Sequence, residues 1–168
     1  MAEADATEVL VVGVQPGQVE DVVGVAAHLA ARLHGRLVCV WVDPSLLSSG
    51  FREDGSEVIE PLDPDTASSV PQSLPEVDRT RIAEIAARHG VPAQVVTGVG
   101  EPGRAIATVA ADNEALMIVV GTRSGRRRVA EFFNGSVAAR LSHQQHRPVL
   151  VVPTDPVGFG APLPWDVP

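Results

Sequence analysis

Five short apolar runs recur along the chain: Glu8–Val14, Leu37–Val42, Val91–Thr97, Ala115–Gly121 and Pro148–Pro153. They are rich in valine, mostly continuous rather than alternating, and flanked by glycine or proline. Strands buried on both faces of a parallel sheet have this signature. Between the runs the spacing becomes helical. Val19, Val22, Val23, Ala26, Leu29, Ala30 and Leu33 fall on one face, with Gly35 placed to stop the helix. Residues 75–89 open on a proline and acids and close on Arg88, His89 and Gly90, in accord with the helix dipole. A shorter helix is expected over 102–113, with Ile106, Val109 and Ala110 inward. A last one is expected from Ser136 to about Gln145, with Val137, Ala138 and Leu141 inward. Strands alternating with helices imply right-handed crossovers. The expected fold is α/β, a three-layer sandwich around a five-stranded, doubly wound parallel sheet.

Two segments break the alternation. Residues 44–74 are rich in proline, serine, aspartate and glycine and hold no sustained period. A connection this long is unusual in a compact domain, so it reads as a mobile acidic flap or a disordered insertion. The tail, 155–168, is rich in proline and glycine but carries Phe159, Leu163 and Trp165. It reads as a disordered end or as an arm packed on the domain or a partner. The expected organisation is one domain over 1–154, with the acidic insertion inside it, followed by the tail.

Charge sharpens this picture. The chain has 168 residues and a net charge of −8. Between Asp43 and Asp78 nine acidic residues face one basic residue, Arg52, so this segment carries the whole imbalance. The acidic balance argues against nucleic acid as a partner. A local basic cluster, Arg123 with Arg126, Arg127 and Arg128, still suits a small anion. All 13 basic residues are arginine, which excludes Schiff-base chemistry through lysine. Cys39 is the only cysteine, so no intrachain disulfide or multi-cysteine metal site exists, and its place in LVCVWV suits a core residue. No run approaches the roughly 20 apolar residues that span a membrane. The acidic start does not resemble a secretory signal, and a cytoplasmic location is expected.

Open parallel sheets bind ligands beyond the carboxyl ends of their strands, where strand order reverses. The loop after the fourth run reads Gly121-Thr122-Arg123-Ser124-Gly125, then nine residues, then Gly135-Ser136 at a helix start. Glycines let several amide N–H groups point at one centre and leave room for a phosphate. Ser136 can cap its helix and donate its hydroxyl to an anion there. Charge-assisted hydrogen bonds contribute about 1.5–3 kcal/mol each, so three or four suffice for a micromolar nucleotide, roughly 8 kcal/mol.

Gly125, the nine-residue spacing and Gly135-Ser136 resemble the G-x-x-G, nine residues, G-S or G-T pattern of the universal stress protein family. The HRPVLVVP ending is similar to that family's last strand, and Gly100-Glu101-Pro102 to its turn before the third helix. The resemblance covers about residues 7–154 apart from the insertion. It implies a Rossmann-like fold, a homodimer, a role in stress response and, in one subclass, ATP as ligand. The implied cofactor contacts are Gly121, Arg123, Gly125, Gly135, Ser136 and Val137, with Val14, Gln15 and Val42 at the base and ribose. Whether magnesium accompanies ATP is left open. Pairing of the C-terminal strand with a second copy is the expected dimer contact. The chain departs from the family pattern twice. Three residues rather than two separate Gly121 from Gly125. Gln15 also stands where an aspartate often ends the first strand, and it cannot offer a carboxylate.

Other residues read as structural. His28, His34, His89, His143 and His146 lack metal-ligand spacing, and Asp112 with Glu114 reads as a helix-to-strand turn. No base, nucleophile or metal cluster supports turnover, so no enzyme is expected beyond slow ATP hydrolysis. The alternative function is a nucleotide-free fold acting as a protein-interaction module.

Overall fold

The computed structural model describes residues 7–43, 45–55, 57–61, 71–122, 137–154, 156 and 158–160. Their elements run β1 (Val9–Gly13), α1 (Val19–Arg32), β2 (Arg36–Val42), β3 (Leu46–Phe51), β4 (Glu57–Pro61) and α2 (Glu76–His89). Then come β5 (Ala93–Gly98), α3 (Pro102–Asp112), β6 (Met117–Gly121), α4 (Val137–Gln144) and β7 (Val149–Val152). The main sheet has the order β5-β2-β1-β6-β7, and every adjacent pair is parallel. All five apolar runs are strands of this sheet, and the doubly wound α/β expectation holds.

The continuity of the runs has a direct cause in the packing. On β1, Leu10 and Val12 face one layer and Val9 and Val11 the other, all at 7% exposure or less. Leu37 and Cys39 of β2 join the first set, and Val38 and Val40 the second. The first layer is closed by Val22, Val23 and Ala26 of α1 with Ile82 and Ile85 of α2. The second is closed by Ile106 and Ala110 of α3 and Leu141 of α4. Both faces of the central strands are therefore dry, so polar alternation would be costly. Cys39 is fully buried and its thiol is pushed up to about 12 by loss of solvent, which leaves it inert as a nucleophile.

Helix ends follow their caps. Gly90 takes a left-handed conformation after α2. Glu101 caps α3, accepting from the N–H groups of Gly103 and Arg104 at 2.9 Å each, with Pro102 in the first turn. Asn113 and Glu114 form the expected turn, Asn113 Nδ2 donating to Val109 O.

Three expectations need correction. The stop after α1 is left-handed at His34 (φ 52°), not at Gly35, and the last helical residue is Arg32. Gly35 is required for another reason: a Cβ there would run into the carbonyl oxygen of Glu8, which accepts the N–H of Arg36. Leu33, placed on the buried stripe by its spacing, lies past the helix end and is 38% exposed. Finally, the acidic stretch is not unstructured throughout. Leu46–Phe51 and Glu57–Pro61 pair antiparallel as a hairpin, with a register irregularity between Ser48 and Gly50.

Candidate functional site

The strand order reverses between β1 and β6, because the chain leaves β1 toward β2 on one side and reaches β6 only later on the other. At the carboxyl ends of these strands lies a cleft of about 550 Å³, within the roughly 300–1,000 Å³ range of small-ligand sites. Its floor is the end of β1 and β2: Gly13, Val14, Val40 and Val42. Val14 is buried, and its N–H donates to Val40 O at 3.0 Å, which carries the sheet one residue past β1. The chain then turns through Gln15-Pro16-Gly17, with Gly17 at φ 83° and Gln18 N–H donating to Gln15 O. That turn leaves Gln15 exposed at the rim.

Val14, Gln15, Val42, Gly121 and Val137 all border this cleft. Arg123, Gly125, Gly135 and Ser136 lie outside the described residues. Gly121 has a packing explanation of its own. A Cβ there would sit 2.7 Å from Gln18 Oε1, 2.8 Å from Val22 Cγ2 and 3.2 Å from Thr154 Cγ2. Gln18 also reaches across to donate Nε2–H to Thr122 O at 2.7 Å, tying α1 to the end of β6. Thr122 and Thr154 bond each other through side chain and backbone, which locks β6 to β7 where the cleft begins.

Among the lining residues that the sequence did not assign to the site are Gln18, Asp43 and Leu46. Asp43 follows β2 directly and is 2% exposed. One oxygen accepts from Ser45 N–H at 2.8 Å and Ser45 Oγ at 2.7 Å, and the other accepts from Gln72 N–H at 2.6 Å. Burial alone would raise its pKa, but these bonds, the Ser45 hydroxyl first, outweigh it and hold the carboxyl below the usual range. The one available signal was an aspartate closing an apolar strand.

That shift fixes the sign of a pH effect. The folded-state pKa lies below the unfolded one, so the stabilisation is complete above the unfolded value of about 4 and fades as pH falls through the folded pKa. Acid unfolding of Asp43→Asn is therefore expected to depend less steeply on pH below about 4 than that of the parent. Circular dichroism of the two proteins across that range is the measurement, and parallel curves would contradict it.

Both carboxylates on the cleft, Asp43 and Glu101, accept hydrogen bonds from backbone N–H groups. Among the described residues no three His, Cys, Asp or Glu side chains gather as a metal site. No described helix is long and apolar enough to cross a membrane.

A doubly wound parallel sheet with a cleft at its strand reversal defines the class: an α/β domain whose cleft lies beyond its strand ends, where open parallel sheets take their ligands. Residues 7–153 match the model of the universal stress protein family, and the chain belongs to that family. Among solved structures it is similar to a universal stress protein in complex with cAMP, at 21% identity and TM-score 0.61, over 90% of this chain and 100% of that one. It is also similar to the universal stress protein from Archaeoglobus fulgidus in complex with dAMP, at 17% identity and TM-score 0.55, over 88% and 98%. A protein of the family from Burkholderia pseudomallei gives 22% identity and TM-score 0.56, over 90% and 100%. At these identities the likeness speaks for the fold. No curated protein matches the chain.

Proposed function

We propose that this chain binds an adenine nucleotide, ATP among the candidates, in the cleft between the ends of β1 and β6, and that it acts as a binding protein rather than a catalyst. The observation that carries this reading is the cleft itself. It lies at the strand reversal, with an apolar floor of Val14, Val40 and Val42 and the start of α4 on its other side. Two structures of similar fold hold cAMP and dAMP, which supports an adenylated ligand. The base and ribose rest near Val14, Gln15 and Val42. The phosphates reach toward Val137 at the start of α4 and toward Gly135 and Ser136, which precede it in the sequence. Regulation through a cytoplasmic homodimer completes the proposal. β7 is an edge strand with Val151 42% exposed, and a second copy would satisfy its open backbone groups.

Titration calorimetry with AMP, cAMP and ATP tests the site. The parent protein is expected to bind at least one of them at micromolar levels. Val42→Trp, which fills the apolar floor, and Gly135→Ala/Ser136→Ala are each expected to weaken it by about tenfold or more, the equivalent of 1.4 kcal/mol. Absence of saturable binding to the parent would reject the nucleotide reading. A second reading, an interaction module without nucleotide, is favoured by Phe159, which stands fully exposed on the segment after β7. Native mass spectrometry of freshly purified protein separates the two, since a retained nucleotide mass contradicts the module.

A further inference from the structure

A second cavity, of about 370 Å³, lies between α3 and α4, again within the range of small-ligand sites. Leu141, 1% exposed, and Ala107 give it an apolar lining, and Glu101, Arg104, Arg140 and Gln144 border it with polar groups. Gly103 brings the two helices together. A Cβ there would lie 3.4 Å from Arg140 Cβ, so the absent side chain lets α4 pass close to the first turn of α3. Gln145 fixes another part of the wall. Its side-chain amide donates to Leu141 O and Arg147 O at 2.8 Å each, and its Oε1 accepts from Arg147 N–H.

Elsewhere in the domain the arginine donors have acceptors. Arg81 reaches Glu84, Arg88 reaches Glu20, Arg36 donates to Asn113 Oδ1 and Arg147 to Ala115 O. Arg104 and Arg140 contrast with these. The Arg104 guanidinium lies over the Phe51 ring, 4.2 Å from its centre, and an aromatic face attracts the cation without accepting its in-plane N–H groups. Arg140 Nη1 stands 3.8 Å from Glu101 Oε2, an ion pair longer than a hydrogen bond. That carboxylate is already turned to the N–H groups of Gly103 and Arg104. Among the described residues neither of these guanidinium groups, nor the Gln144 side-chain amide, donates a hydrogen bond. In a chain of net charge −8, the cavity thus gathers two cations against one carboxylate.

We propose that this cavity is a second ligand site, taking a small doubly charged oxyanion (a phosphomonoester or a dicarboxylate) on Arg104, Arg140 and Gln144. Guanidinium forks match the paired oxygens of both groups, and two forks engage either one dianionic phosphate or two carboxylates. The site is separate from the strand-end cleft, although Glu101 borders both, and it does not depend on the nucleotide reading.

Nuclear magnetic resonance titration of the full chain with glycerol 3-phosphate, succinate and acetate, at matched ionic strength, tests the proposal. At least one dianion is expected to give saturable shifts centred on the amides of Gly103, Arg104 and Ala107 and on the Gln144 side chain. It should bind about tenfold or more tightly than acetate, which can fill only one fork. The tighter of the two dianions names the ligand class. Arg104→Gln and Arg140→Gln are each expected to weaken it by about tenfold. Gln144→Glu keeps the shape of the side chain but adds a negative charge, and should abolish binding. All three positions are exposed, so the fold is expected to survive these changes, which circular dichroism checks. Gly135→Ala/Ser136→Ala should bind the dianion as the parent does. Shifts that fail to saturate with either dianion overturn the proposal. So does saturable binding that is unchanged in both arginine variants, or that is lost in Gly135→Ala/Ser136→Ala, since the anion would then sit elsewhere.

Discussion

Leu10→Ala is expected to lower the stability of this domain by about 3–5 kcal/mol, the upper range for deletion of a core leucine. Leu10 is fully buried in β1, the central strand, paired with Leu37 on one side and Met117 on the other. Its side chain points into the layer closed by α1 and α2. Strands on both sides fix the backbone, so the site cannot collapse around the missing atoms and a cavity remains. Set against a usual total of about 5–15 kcal/mol, such a loss removes a large share of the folding free energy. Urea unfolding monitored by tryptophan fluorescence reads it directly. A loss below about 1 kcal/mol would mean that the two layers do not pack as described.

Gly121→Val is expected to cost about 2–3 kcal/mol through overpacking. The glycine lies where the end of β6 passes α1, and even a Cβ would come within 3 Å of Gln18 and Val22. Relief requires α1 to move or Gln18 to abandon its bond to Thr122 O. Thermal unfolding of the apo protein decides between this and a purely ligand-related role. If Gly121 served only to admit phosphate, the variant would melt like the parent and lose binding alone. A lowered melting temperature without ligand establishes the packing role.

Gly121 also illustrates where sequence reading stops. A glycine at the end of an apolar run is equally suited to a phosphate loop and to the close passage of a helix, and only the position of Gln18 separates the two. Gly35 is a similar case: its place after the apolar stripe suits a helix stop, but its constraint is the carbonyl of Glu8, just before β1. Both depend on contacts remote in sequence, which local pattern cannot carry. The strands were legible for the opposite reason. Val11 and Val38 lie between two helical layers, and that burial is written into each run by itself. The hairpin escaped notice because LLSSGF and EVIEP neither alternate cleanly nor form long apolar runs. Its anchors, Asp43, Trp41 and Arg104, belong to other elements. Of the cleft, the family resemblance pointed to Val14, Gln15, Val42, Gly121 and Val137, whereas Gln18 and Asp43 reach it through contacts remote in sequence.

The central place of β1 bears on how the chain is made. One of its edges is covered by β2 soon after it leaves the ribosome, but the other waits for Met117–Val119, near the far end of the polypeptide. Throughout that interval this strand, buried on both faces in the finished domain, keeps an open edge, available to any other nascent chain that offers a strand. Slow synthesis between β5 and β6 should accordingly favour aggregation, and a chaperone that shields Val9–Gly13 should raise the yield of folded protein.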